Sequence, residues 1–238
     1  MFELITAFDL NSFFSSHLGE NAWIPMKVLL STWESIYMVF ISTFFSYVFG
    51  LPLAIILVTT DKGHIMENNP ANKILGSIVN AVRSIPFIIL LILIIPLTRL
   101  IVGTSVGTVA SIVPLTLAAI PFVARLVETS LKEIDWGLIE AALSMGANAR
   151  QIISKVLIPE AVPSIILGVA ITAINLVGYS AMAGVVGGGG LGTLAYTYGF
   201  QRYRMDILLI AVFILIVLVQ GIQLAGDKIS NKILDKRR

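Results

Sequence analysis

Apolar residues run along this chain in long uninterrupted blocks rather than in the one-sided or alternating patterns of a soluble fold. Ser35 to Val58, Leu100 to Ala124 and Ile207 to Gly226 are each free of Asp, Glu, Lys and Arg. A shorter clean stretch covers Ser84 to Thr98, and the longest covers Ala161 to Gln201. A helix needs about 20 largely apolar residues to cross a hydrocarbon core about 30 Å thick, so the first three predict one span each. The Ser84–Thr98 stretch is long enough only if its helix begins before Arg83. The longest stretch exceeds one span and contains Gly187-Gly188-Gly189-Gly190, which no helix interior favours. It predicts a helix over about 161–184, then a glycine-rich loop. Backbone in hydrocarbon must satisfy its own hydrogen bonds, so the expectation is an all-α membrane protein with five transmembrane helices.

Composition agrees. Of 238 residues 57% are hydrophobic and 13% charged, where globular chains carry about 25% charged residues; mean hydropathy is +0.93. The net charge of +2 sets up no strong field for a polyanion, so nucleic acid is not an expected partner. The absence of cysteine excludes disulfides, Cys-ligated zinc and iron–sulfur sites.

Five spans put the termini on opposite sides, and the basic residues choose between the two arrangements. With the C-terminus inside, the inner segments hold Lys62, Lys73, Arg83, Arg125, Lys132, Arg150, Lys155, Lys228, Lys232, Lys236, Arg237 and Arg238, twelve of the sixteen basic residues. Lys27, Arg99, Arg202 and Arg204 remain outside. The positive-inside rule then places the N-terminus outside and the C-terminus in the cytoplasm. Residues 1–26 form an N-terminal extracytoplasmic segment without the basic start of a signal peptide. Phe2, Leu4, Ile5, Phe8, Phe13 and Phe14 are placed either for a short interfacial helix or for a partly ordered tail.

Catalytic signatures are missing. No GxxxxGK[ST] occurs. Gly187-x-Gly189-x-x-Gly192 has the dinucleotide spacing, but a membrane helix precedes it and Asp206 comes only fourteen residues on. His17 and His64 stand alone on opposite sides, and no His–carboxylate pattern accompanies either. The expectation is a non-enzyme with no cofactor or metal of its own.

The segment 126–160, between the third and fourth spans, is long for a membrane loop. Leu138, Ile139, Ala142, Leu143 and Met145 make one short apolar helix, and Gly146 sits where a C′ glycine ends it. Asn148 caps a second helix with Gln151 in capping-box position; Ile152/Val156 and Ile153/Leu157 are i,i+4 pairs on it. Pro159 and Pro163 predict the turn back into the membrane. Such a pair either lies on the membrane or its own bundle, or offers an apolar ridge to a soluble partner's groove.

Glu140-Ala141-Ala142, with Gly146 four residues later and Ile158-Pro159 beyond a further short helix, resembles the EAA loop of ABC importer permeases. Arg83-Ser84-Ile85-Pro86-Phe87, Ile112-Val113-Pro114-Leu115-Thr116 and Val177-Gly178-Tyr179-Ser180-Ala181-Met182 look like the methionine-import permeases. The resemblance covers about residues 28–235, so 27–238 is expected to be the permease domain. It implies a bacterial inner-membrane, multi-pass subunit that pairs with a second copy of itself in the lipid bilayer. It further implies two ABC ATPase subunits carrying ATP and Mg, and an extracytoplasmic substrate-binding protein, often lipid-anchored. The implied cargo is methionine, L- and D-, moved by alternating access. Glu140, Ala141, Ala142 and Gly146 would then couple to the ATPase. A permease for another small solute is the alternative; an ion-coupled transporter would need an intramembrane carboxylate, and Glu34 and Asp206 both lie at span ends.

Thr172, Asn175, Tyr179 and Met182 follow at spacings of 3, 4 and 3, on one face of the fourth span. They read either as a lining of the translocation path with Met182 as a soft gate, or as interhelical hydrogen-bonding and packing. The glycine run reads as a flexible connector or as a rigid turn at a close approach. Gly50-Leu51-Pro52 predicts a kink with a packing role. Lys27 and Glu34 read as solvated anchors, and Arg83 as a side chain snorkelling to the inner surface rather than touching substrate.

Overall fold

The computed structural model describes residue 21 and residues 23–235, and these are helical with connecting turns. The elements are α1 (Trp23–Thr59), α2 (Asn69–Arg83), α3 (Phe87–Leu93), α4 (Ile95–Val102), α5 (Thr108–Lys132), α6 (Trp136–Ser144), α7 (Ala149–Ile152), α8 (Ile158–Val185), α9 (Gly190–Leu194) and α10 (Met205–Asp235). Four of the described helical stretches are long and apolar enough to cross a membrane, five if the bent pair α2–α3 counts as one span. The expected interfacial helix near Phe2–Phe14, His17 and residues 236–238 lie outside the described residues. So does most of the 1–26 segment, although α1 already begins at Trp23.

Three expectations about boundaries are corrected. A helix does begin before Arg83, but it does not run on as one continuous span. α2 ends there, and the chain turns by 100° between α2 and α3. Pro86 explains the break: it disfavours helical backbone at Ile85 and donates no N–H, so α3 starts afresh behind it. The third span is Thr108–Lys132 rather than Leu100–Ala124; Leu100 to Val102 close α4, and Gly103, at φ +82°, turns the chain. Helices continue past charges when side chains reach partners, so a gap between charges marks neither end.

The third correction concerns Pro159. No turn occurs at it. From α7 the chain runs helically through a π-helical stretch, Ile153–Leu157, straight into α8. The wider i→i+5 spacing, with the Ile158 N–H donating to the Ile153 carbonyl, accommodates a proline that an α-turn would reject. The region after 185 also differs from the expected loop. It folds into α9, extended by π-helical Ala195–Gln201, before α10 begins.

Packing is centred on α1 and α5, which share the most extensive interface. The Gly50–Pro52 step stays within an unbroken α1. A Cβ on Gly50 would stand 2.8 Å from the Val123 Cβ, so this glycine permits close approach of α5. Met38, Val39, Leu115, Ala119, Leu176 and Val177 form the central core. A second core at the Asp61 end joins Val58, Val127 and Leu131 to Ile139, Ile152 and Leu157, seating the α6–α7 pair on the bundle. Facing outward, α10 shows Leu209, Phe213 and Leu224; it packs against α8, and an apolar groove of about 820 Å³ lies between it and α1, with Val169 and Ala173 of α8 also in its lining. That surface suits lipid, against which apolar exposure carries no penalty.

Candidate functional site

The EAA segment is held by caps at both ends. Asp135 accepts the Gly137 N–H at 2.6 Å, starting α6. At the other end the Ala147 N–H donates to the Ala142 carbonyl and the Gly146 N–H to the Leu143 carbonyl. This pair of bonds is a Schellman motif, and it needs a left-handed residue at Gly146, which has φ +79°. Asn148 and Gln151 then exchange two 2.9 Å bonds in a capping box.

Burial sorts the four EAA residues. Ala142, 5% exposed, and Ile139 pack inward, which lets α6 lie close on the bundle. Glu140, Ala141 and Gly146 face outward. Around them Trp136, Leu138, Leu143 and Met145 form an exposed apolar ridge, with Met145 at 82%. The helix therefore lies on its own bundle through one face and offers an apolar ridge through the other.

An ionic chain supports this end; of its members the sequence reading had counted only Arg125 and Lys132, as basic residues of the inner side. Arg125 donates to the Gly76 carbonyl at 3.0 Å and pairs with Glu128 at 2.6 Å. Lys132 bridges Glu128 and Asp61 at 3.0 and 2.7 Å. His64 meets Trp136 edge-on at 5.5 Å, joining the 60–68 turn to α6. The Lys132 ammonium, helped by the Lys62 N–H, holds the Asp61 carboxyl below the usual carboxylate range. Burial pushes the His64 imidazole below its ordinary value.

On α8 the predicted stripe divides. Thr172 is fully buried and donates to the Gly168 carbonyl at 2.8 Å. Asn175 and Met182 are exposed, the latter by 41%. Tyr179 lies between the two classes, its ring parallel to Phe87 at 4.5 Å.

The glycine run is a packed turn, not a slack connector. Gly188 and Gly187 close α8 with a second Schellman motif, donating to Ala183 and Gly184. The Gly187 carbonyl accepts from the Gly107 N–H, and the Ser111 hydroxyl donates to Gly188. Glu34 is no solvated anchor: it accepts the Gly190 N–H at 2.7 Å, while Ser35 accepts from Leu191 at 2.8 Å. A Cβ at Gly190 would stand 2.5 Å from the Ser35 hydroxyl, and φ there is +71°. Glutamate 156 residues away in sequence gave no local signal for this clamp.

Family comparison decides the class. Residues 50–237 match the family described as binding-protein-dependent transport system inner membrane component. The chain belongs to this family. Among its relatives, the probable D-methionine transport system permease protein MetI of Vibrio cholerae is 54% identical over 206 residues, covering 87% of this chain and 92% of the relative. The methionine import system permease protein MetP of Bacillus subtilis is 46% identical, with 87% and 93% covered. In an inward-facing structure of the MetNI methionine ABC transporter, a chain 47% identical superposes with TM-score 0.86, covering 90% of this chain and 98% of that one. An amino acid ABC transporter structure at 19% identity and TM-score 0.70 shares the fold. This is therefore a multi-pass inner-membrane permease of the methionine-import family of ABC transporters.

Proposed function

We propose that this permease moves L- and D-methionine into the cytoplasm by alternating access, as one of two identical copies around a common path. The reading places the N-terminus outside and the C-terminus with the α6 end in the cytoplasm, with 1–26 as an extracytoplasmic segment and 27–238 as the permease domain. Two ABC ATPase subunits carry ATP and Mg and do the hydrolysis; this chain contributes none. A substrate-binding protein, lipid-anchored in many systems of this kind, delivers the cargo at the outer face.

The observation that carries the coupling role is the two-faced α6. Its inner face is fixed by Ile139 and Ala142, while Glu140, Ala141 and Gly146 sit on the exposed face beside the Met145 ridge. In this scheme Ala142 sets the height of the helix rather than touching the ATPase. A ridge fixed to the bundle transmits displacement, because the core behind it is close-packed. Asn175, Tyr179 and Met182 line the path, with Met182 as the gate against its copy; Thr172 supports that face from inside the bundle.

ATP-driven uptake of labelled methionine into vesicles holding the permease, its ATPase and the binding protein tests the assignment. Uptake that requires ATP and all three proteins is expected. Methionine uptake that persists without the ATPase, or no methionine uptake when another amino acid is carried, would overturn it.

A further inference from the structure

Arg83 closes α2 at the 100° break, beside a cavity of about 170 Å³ whose walls include Ile85, Phe87, Ala118, Phe122 and Tyr179. That volume is below the roughly 300–1,000 Å³ of drug-sized sites and on the scale of one amino acid. Ala118 and Phe122 fall midway along α5, so the cavity sits within the depth of the spans. Arg125, on the same helix as these two, has its guanidinium bound to Glu128 and the Gly76 carbonyl. The Arg83 guanidinium has no hydrogen bond or ion pair among the described residues. A cation within the span region faces protein or water and marks a substrate path more often than a packing contact, because lipid solvates it poorly.

Resting on the importer reading above, we propose that Arg83 is the transient anchor for the α-carboxylate of the passing amino acid. A guanidinium presents paired N–H groups that match a carboxylate in two parallel bonds, and it remains charged throughout. The parallel Phe87–Tyr179 rings beside it supply the apolar wall on which a thioether side chain lies, sulfur against aromatic. One end of the cavity thus matches what all α-amino acids share, and the other favours a soft, unbranched side chain. The break behind Pro86 has a consequence here: by ending α2, it leaves Arg83 at a helix terminus on the rim of the cavity, exposed rather than packed away.

The chain has no cysteine, so Ala118→Cys places a single thiol in the cavity wall of the assembled transporter. The rate of its modification is measured with an anionic sulfonate thiosulfonate reagent and with the cationic trimethylammonium analogue. The field of Arg83 should favour the anionic reagent by about tenfold, and adding Arg83→Gln should remove that preference. Excess methionine should slow labelling, while methioninol, which lacks the carboxylate, should not. A reagent preference that survives Arg83→Gln overturns the assignment, as does equal protection by the two compounds. Protection by neither overturns it in favour of a lipid phosphate as the partner of Arg83. If Arg83→Gln fails to assemble, the methionine–methioninol comparison in the Ala118→Cys chain decides alone. Ile85→Cys repeats the readout from another wall, and thiols inert at both positions also reject the site. ATP-driven methionine uptake by the unsubstituted transporter is scored separately. Uptake without carboxylate-dependent protection removes only the Arg83 assignment, whereas no uptake removes the importer reading.

Discussion

The ends of α6 and α8 are closed by the same local device and serve opposite purposes. Each helix stops in a Schellman motif with a left-handed glycine, Gly146 in one and Gly187 in the other. Beyond Gly146 there is open space: a Cβ there meets nothing within 4 Å. After Gly187 the backbone is pressed against α5 and α1, and Cβ atoms at Gly188, Gly189 and Gly190 would strike Ser111, Thr108 and Ser35 at 2.5 Å. The first glycine is there for backbone conformation, which leaves its surface free for a partner. Gly189 and Gly190 are there for conformation and for space, and Gly188 for space alone. A turn signal in sequence therefore identifies where a helix ends, while tertiary crowding determines whether that end can dock onto anything.

The contrast is sharpest for Gly190→Val. A β-branched side chain at φ +71° against Ser35 and Met38 combines backbone strain with overpacking, and about 3–5 kcal/mol of destabilisation is expected. Thermal unfolding of the detergent-purified permease would show it as a large loss of melting temperature. A shift no larger than that of a surface substitution would mean that the glycine run is slack after all.

Next comes a pair within α6. Ile139→Ala should destabilise the fold by about 2–5 kcal/mol, because the side chain is 2% exposed in the core behind the helix. Met145→Ala should change fold stability by under about 0.5 kcal/mol while weakening association with the ATPase. Equal effects of the two on stability would contradict a helix with one fixed face and one free face.

The smallest expected effect is on pH dependence. Burial lowers the folded-state pKa of His64, so the unfolded chain binds the proton more readily. Stability is then complete above the ordinary histidine value near 6.5 and declines as pH falls below it. Asp61, lowered by Lys132, adds stability above about pH 3.9 that is lost only as pH falls through its folded value. Melting temperature should decline modestly from pH 7 to 5.5, and His64→Phe, which keeps a ring against Trp136, should flatten that decline. An unchanged slope in the variant would remove His64 from the account.

The legible parts of this molecule were those governed by neighbours in sequence. Four of the five apolar segments as long helices, the α6 stop at Gly146 and the Asn148–Gln151 box all follow from local rules, and the structure holds each; the second segment is met only by the bent pair α2–α3. Pro159 misled because those rules treat proline as a helix end, whereas a π-helical stretch absorbs it. The second span misled because its helix was expected to run through Arg83 unbroken, whereas Pro86 interrupts it. Glu34 was illegible for a different reason: its partner, the Gly190 N–H, is brought to it only by the packing of α9 on α1. Of the α8 stripe, periodicity placed four residues on one face, yet only neighbouring helices decide that Thr172 is buried and Met182 is not.

The most direct test of the coupling claim compares Gly146→Asp with Gly146→Asn in a co-purification with the cognate ATPase. Both side chains tolerate the left-handed backbone at this position, so the fold is preserved in both and only the charge differs. A carboxylate buried without a partner in an ATPase cleft costs several kcal/mol. The account predicts that the parent chain and Gly146→Asn retain the ATPase in equal proportion and that Gly146→Asp loses it. Retention by Gly146→Asp at the parent level would contradict it, showing that the exposed face of α6 is not where the ATPase docks.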